Sequence, residues 1–227
     1  MNNAIKILLV LTSHGQLGKT GKPTGYYLPE VSHPAHVFAK AGYDMDIVSP
    51  KGGEAPMDPS SRDLTDPINK EFLANAKLSE KLKTTLRPDQ VDPSKYAAIF
   101  FAGGHGTMWD LADNQGLQEI TRKIYEQGGV VSAVCHGPAG LINVKLSNGK
   151  YLIAGKEISA FSNEEEGAAE LTKVVPFLLE SAIIDRGGRY SSAAPFHAYT
   201  KVSERLVTGQ NPQSASLVAE EVVKLLK

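Results

Sequence analysis

The chain of 227 residues is 41% hydrophobic and carries 24 Lys+Arg against 25 Asp+Glu, a formal net charge of -1, so it can bury a sizeable core and has no electrostatic footprint for nucleic acid or an anionic membrane surface. No apolar stretch approaches the ~20 residues needed to cross a bilayer, and the single cysteine cannot form an internal disulfide. These totals favour one domain acting on a small molecule, with the cytoplasm as the expected location.

Met1 to Leu11 has one lysine and no small-residue cleavage site, and it reads as a first strand, Ile5 to Leu11, rather than a signal peptide. That near-continuous aliphatic run predicts a central parallel strand covered on both faces. Gln16 to Leu28 lacks periodicity and predicts a long, functional loop. Pro29-Glu30 opens a helix with Val31, Val37, Phe38 and Ala41 on its apolar face and Gly42 at its end. Tyr43 to Ser49 alternates as a second strand. Residues 51–95 are irregular, with a charged helical piece around Phe72 to Leu82, and predict an insertion or lid.

Tyr96 to Phe101 predicts a third buried strand that ends in Ala102-Gly103-Gly104-His105-Gly106, and Leu117 to Gln127 predicts an amphipathic helix stopped by Gly128-Gly129. After a fourth strand ending at Cys135, Tyr151 to Phe161 predicts one or two short strands, and Ser162 to Glu180 one or two helices broken at Pro176. Arg205 to Thr208 is a last strand. Asn211-Pro212 predicts the N-cap and first position of a C-terminal helix buried through Leu217, Val218, Val222, Leu225 and Leu226. Alternating strands and helices give an α/β fold: an open, mostly parallel sheet with helices on both faces.

The segment around which the rest is organised is Val130-Val131-Ser132-Ala133-Val134-Cys135-His136-Gly137-Pro138-Ala139-Gly140. A short buried strand followed by an abrupt turn lifts a side chain out of the sheet, as in the nucleophile elbow of serine hydrolases, and a helix N-terminus there would favour a thiolate. A lone cysteine is more often an inert buried hydrophobe; the turn and the adjacent His136 favour a nucleophile with its base. Gly103-Gly104-His105-Gly106 sits at a strand end where open sheets place ligands, and its glycines can aim N–H groups at an oxyanion. It lacks the full dinucleotide fingerprint. Glu30, His33 and His36 have a metal-like spacing that Pro34 disturbs, so no metal is expected. Glu164-Glu165-Glu166 reads as a solvated helix start, one member of which could orient a histidine.

Ala-Val-Cys-His-Gly-Pro, Ala-Gly-Gly-His-Gly, Thr24-Gly25 with Pro29-Glu30, and Arg-Leu-Val-Thr-Gly-Gln-Asn-Pro together resemble the PfpI family of the class I glutamine amidotransferase-like superfamily, most of all its branch of glutathione-independent glyoxalases (glyoxalase III) that also act as heat-shock chaperones. The resemblance implies a flavodoxin-like three-layer sandwich spanning 1–227, a homodimer, and no cofactor. It matches Cys135 to the nucleophile, His136 to its neighbouring histidine, Glu30 to an acid touching the sulfur, and Gly104 with the His136 amide to the oxyanion hole. Gly103 and His105 accompany that turn as substrate-binding residues. The third, acidic triad member falls on the Glu164–Glu166 run, where spacing selects Glu166 and leaves the adjacent registers open.

The implied reaction converts a 2-oxoaldehyde such as methylglyoxal or glyoxal to the 2-hydroxy acid through a cysteine hemithioacetal. The same thiolate would serve a cysteine amidase, peptidase or deglycase. A non-enzyme alternative is a stress-induced holding chaperone or redox sensor, which would need an exposed apolar patch.

Overall fold

The computed structural model describes residues 5–227; Met1–Ala4, part of the stretch weighed against a signal peptide, lie outside the described residues. In chain order the first half contains β1 (Lys6–Val10), α1 (Pro29–Lys40), β2 (Asp44–Val48), α2 (Pro67–Ala74), α3 (Ala76–Lys83), β3 (Ala98–Phe101), α4 (Thr107–Asp110), α5 (Gln115–Glu126) and β4 (Val130–Val134). The second half contains β5 (Glu157–Ile158), α6 (Asn163–Ala168), α7 (Leu179–Asp185), β6 (Arg189–Tyr190), β7 (Thr200–Ser203), β8 (Leu206–Gly209) and α8 (Ala215–Leu225).

The main sheet runs β2-β1-β3-β4-β8-β7 and is parallel except where β7 pairs antiparallel with β8. Successive side chains on a strand point to opposite faces, and here both faces are covered. Leu8 and Val10 join Ile99, Phe101 and Val131 in one apolar cluster, while Ile7 and Leu9 join Phe100 and Val130 in the other. The first cluster is closed by α5 through Leu117, Ile120 and Ile124, the second by α1 and α8 through Phe38 and Val218. A strand whose every residue is buried therefore reads as an unbroken aliphatic run. The result is the three-layer α/β sandwich expected from the sequence. Among the described residues no helix is long and apolar enough to cross a membrane.

Several local expectations change. The piece around Phe72 to Leu82 is two helices separated at Asn75, whose side chain caps the second by accepting from the Leu78 N–H. Residues 51–95 pack against α1 and β2 through α2 and α3 and against α5 through their last turns, and Asp58, Pro59 and Ser60 are their contribution to the central pocket. Only Glu157–Ile158 of the 151–161 stretch is a strand, paired with β6 in a small second sheet. Asn211 does not cap α8: Pro212–Ser214 forms a 3-10 turn first, and the Asn211 amide donates to Glu165 and the His197 carbonyl. In α8 the buried stripe is Ala215, Val218, Ala219, Val222 and Val223, whereas Leu217, on the opposite side of the helix, and Leu225, at the edge of the stripe in the last turn, are exposed although expected inside.

Because β1, β3, β4 and β8 run in one direction, their C-terminal ends share one edge, which brings together Thr12, Gly103, Cys135 and Gln210. Gly137 is required just past that edge, since a β-carbon would collide with the Phe101 carbonyl oxygen of the adjacent strand end.

The weight borne by the α1 side of the core is measurable. Phe100 is fully buried and meets Phe38 edge-on at 5.9 Å between ring centroids. Phe100→Ala should lower unfolding free energy by ~3–5 kcal/mol, read from the urea midpoint at constant m-value.

Candidate active site

Cys135 occupies the left-handed backbone region at φ 59, unusual for a residue with a β-carbon. The conformation costs ~1–3 kcal/mol and persists because its surroundings over-determine it. The Cys135 N–H donates to the Gly209 carbonyl at 2.9 Å, and the Cys135 carbonyl accepts from the Phe161 N–H at 2.9 Å. The elbow thus carries the side chain off the sheet edge as expected. The next element is a single 3-10 turn, Gly137–Gly140, rather than an α-helix. A helix dipole is therefore not what governs the thiol. Burial pushes its pKa well up, and the neighbouring Glu30 adds to that push.

Glu166 Oε2 lies 2.7 Å from His136 Nε2, and His136 Nδ1 lies 3.4 Å from Cys135 Sγ. Burial works against the Glu166 carboxylate, but the bonds from His105 and His136 outweigh it and hold its pKa at about 2. An ionised carboxylate only accepts, so His136 carries its proton on Nε2 and presents Nδ1 to the thiol as a base. Burial, then repulsion from His105, brings the His136 pKa down to about 4, which keeps the ring neutral near pH 7. The acidic run is divided by its helix: Glu164 is exposed, Glu166 faces the histidines, and Glu165 turns inward to accept from the Phe196 N–H and the Asn211 side chain.

Glu30, in the first turn of α1, is fully buried. Its Oε2 accepts the Gly103 N–H at 2.8 Å, and its Oε1 has no hydrogen-bond partner. Burial pushes this carboxyl up to about 8, against the opposing pull of the Cys135 thiol and the Gly103 amide. It is therefore a neutral acid at pH 7, with a proton available to the sulfur beside it. Gly104, at φ 100, brings the turn so close to the long loop that a β-carbon would be driven into the Gly25 carbonyl. Neither the Gly104 amide nor that of His136 has a backbone acceptor among the described residues, which leaves both as donors for an oxyanion. His105 lines the same cavity beside Gly104 and Cys135, with its Nε2 2.8 Å from Glu166 Oε1.

These groups open into a cavity of about 510 Å³ that also takes in Leu17, Tyr27, Phe161, Leu171 and Phe196. Sequence reasoning missed these walls. Phe161 packs on the His136 ring at 4.4 Å between centroids, and Phe196 meets Phe161 at 6.3 Å. Glu165 was legible in principle: Ser162 and Glu165 form a capping box, a spacing readable as Ser-x-x-Glu. His33, part of the metal-like spacing, pairs with Asp66 instead. One group among the described residues could hold a cation, His105, His136 and Glu166, whose donor atoms lie within 4.8 Å of one another; here they are joined by hydrogen bonds.

Residues 24–225 match the DJ-1/PfpI family. The chain belongs to that family. It is 34% identical over 235 residues to glyoxalase 3 of Candida albicans, covering 96% of this chain and 97% of that protein. With the glutathione-independent glyoxalase HSP31 of Saccharomyces cerevisiae the identity is 35% over 239 residues, covering 98% of each. The crystal structure of glyoxalase III from Candida albicans superposes with a TM-score of 0.91 at 34% identity, over 97% of each chain. The rapid encystment protein of 24 kDa from Francisella tularensis gives a TM-score of 0.95 at 42% identity, over 98% of this chain and 99% of that one. In this DJ-1/PfpI chain the elbow, the acid of α1 and the glycine turn converge on one sulfur.

The neutral Glu30 makes stability depend on pH in a defined direction. Its pKa is about 8 when folded against 4.5 ordinarily, so the folded state retains a proton that the unfolded state releases. That contribution is fully present below pH 4.5 and is lost as pH rises through 8. Relative to Glu30→Gln, which shares every other titrating group, the wild type should lose on the order of 4 kcal/mol of unfolding free energy across that window. Urea titrations of both proteins at stepped pH measure the difference.

Proposed function

We propose that this protein is a glutathione-independent glyoxalase that converts methylglyoxal or glyoxal to the 2-hydroxy acid, with its own side chains as the reacting groups. The observation that carries this reading is the pair of groups flanking Cys135 Sγ: an unprotonated imidazole nitrogen at 3.4 Å and a buried carboxyl whose pKa of about 8 keeps its proton. Relatives of matching length bear the name of that activity.

The thiol proton passes to His136 Nδ1 as Sγ bonds to the aldehyde carbon. The developing oxyanion faces the amides of Gly104 and His136 and takes up that proton. His136, neutral again and held by Glu166, removes the hydrogen from the former aldehyde carbon to give an enediol, while the Glu30 carboxyl protonates the neighbouring oxygen. The His136 imidazolium returns the proton taken from carbon to the next carbon while the Glu30 carboxylate takes the hydroxyl proton from the sulfur-bearing carbon, which restores acid and base and leaves a 2-hydroxyacyl thioester that water cleaves. The sulfur thus serves as the handle that glutathione would otherwise supply. A lone cysteine with no disulfide partner supports a role in a reducing cytoplasm.

Purified protein should consume methylglyoxal without glutathione and form lactate. Cys135→Ala should abolish this, and full retention by that variant would overturn the reading. Glu166→Gln, which unsettles the His136 tautomer, should lower kcat on the order of 10²–10⁴-fold. Glu30→Gln separates nucleophile from acid: alkylation of Cys135 by iodoacetamide should continue while methylglyoxal turnover falls by a similar factor.

A further inference from the structure

Two imidazoles share one carboxylate in this site, and the proposed glyoxalase steps use one of them. Glu166 Oε2 accepts from His136 Nε2 at 2.7 Å and Glu166 Oε1 accepts from His105 Nε2 at 2.8 Å. With the carboxylate ionised, each ring places an N–H on Nε2 against it, so the nitrogen left to act as a base on either ring is Nδ1. Their surroundings differ. The His136 side chain is 1% exposed, its ring lies between those of His105 and Phe161 at 4.1 and 4.4 Å, and its Nδ1 is taken up by the sulfur. The His105 side chain is 18% exposed and lines the cavity beside Cys135. Among the described residues its Nδ1 neither has a hydrogen-bond partner nor is sealed from solvent.

We propose that His105 is the base that activates water to cleave the acyl–Cys135 bond, the step that closes the glyoxalase reaction and rests on that reading. His136 Nδ1 is engaged at the sulfur that carries the acyl group, whereas His105 lines the cavity from which water reaches that group. Glu30 cannot serve, because it already holds its proton at neutral pH. Asp58, on the cavity wall, is engaged by Thr24 and Ser60. His105 Nδ1 takes a proton from water as the oxygen bonds to the acyl carbon. The C–S bond then breaks with its electron pair left on sulfur, releasing the carboxylic acid. The His105 imidazolium, stabilised by Glu166, returns its proton to the thiolate through the cavity solvent. Acid, thiol and neutral imidazole are restored. One carboxylate thereby orients two bases, His136 for the steps at sulfur and carbon and His105 for the step with water.

The test uses His105→Gln, which keeps an N–H donor for Glu166 and lacks a base, with His105→Ala plus added imidazole as the second variant. The probe is p-nitrophenyl acetate, which acylates a reactive cysteine without any oxoaldehyde chemistry. His105→Gln should still release one equivalent of p-nitrophenol per chain in a burst and then turn over at least ~10²-fold more slowly than wild type, a loss far larger than any change in the burst rate. The acetyl group should remain on the Cys135 peptide, imidazole should restore turnover to His105→Ala, and hydroxylamine should release the group in both. With methylglyoxal the variant should consume one equivalent and hold it as a hydroxylamine-labile adduct. Wild-type steady-state turnover of the ester by His105→Gln would overturn the assignment. So would equal slowing of the burst and the steady state, which would make His105 a positioning residue for His136. A wild type inert to methylglyoxal, with the ester arm behaving as stated, would remove the glyoxalase reading and leave His105 as the deacylating base.

Discussion

Burial of one carboxyl against one thiol is the constraint on which the site depends. Had Glu30 stood in water it would be ionised at neutral pH, and its charge would oppose formation of a thiolate beside it. Buried in the first turn of α1, with Oε2 tied to the Gly103 amide, it holds a proton instead. The carboxyl and the thiol cannot both ionise cheaply in so dry a place, so the pair shares its protons, and whichever group yields one is compensated by the other. The raised Cys135 pKa is the resting half of that arrangement rather than a sign of inertness. A base at 3.4 Å completes it, since a proton need travel only from sulfur to His136.

The scaffold supplies rigidity where that arrangement is intolerant of movement. Four parallel strands deliver their ends to one edge, and the residues just past those ends carry the turns. The strained φ of Cys135 is held from both sides, by Gly209 and by Phe161. Glu165 does comparable work one layer out: fully buried, it fastens the backbone of Phe196 and the amide of Asn211, and with them a wall of the cavity. A loop wall tied by a buried carboxylate moves less than one tied by surface contacts, because an unpaired partner would be costly in a dry setting.

What the sequence discloses depends on how local each cause is. The central strands are readable because burial on both faces removes polar residues from five-residue runs, and the elbow because a Cys-His-Gly-Pro turn has few structural uses. Glu30 and Glu166 become legible as site residues through the family likeness, and Glu166 over its neighbours only through spacing. The walls are not legible: Leu17, Phe161, Leu171 and Phe196 come from four separate loops and meet only in the folded chain. Two-residue strands such as β5 and β6 leave no periodicity to detect. Leu217 and Leu225 mislead because an apolar residue type alone does not place a residue on the buried face, which in α8 runs through Ala215, Val218, Ala219, Val222 and Val223, and Asn211, in form a helix cap, is engaged by Glu165 and His197.

Electrostatic order within the site has its origin in the same dryness. Glu166 is held firmly ionised, at a pKa of about 2, and it receives N–H donors on both oxygens. Glu30 and His136 are neutral for the same cause, burial, acting in opposite directions on an acid and a base. With Glu30 and His136 neutral beside the Glu166 carboxylate, the proposed proton transfers from sulfur to nitrogen and from acid to oxygen start without an unpaired charge at the reacting groups. The carboxylate stabilises whichever imidazole becomes positive, and the two rings are close enough that both cannot be positive at once: the repulsion from His105 already contributes to the lowered His136 pKa. In the proposed reaction, sharing one anion imposes sequence on the chemistry, since a proton taken by one ring must leave before the other can act.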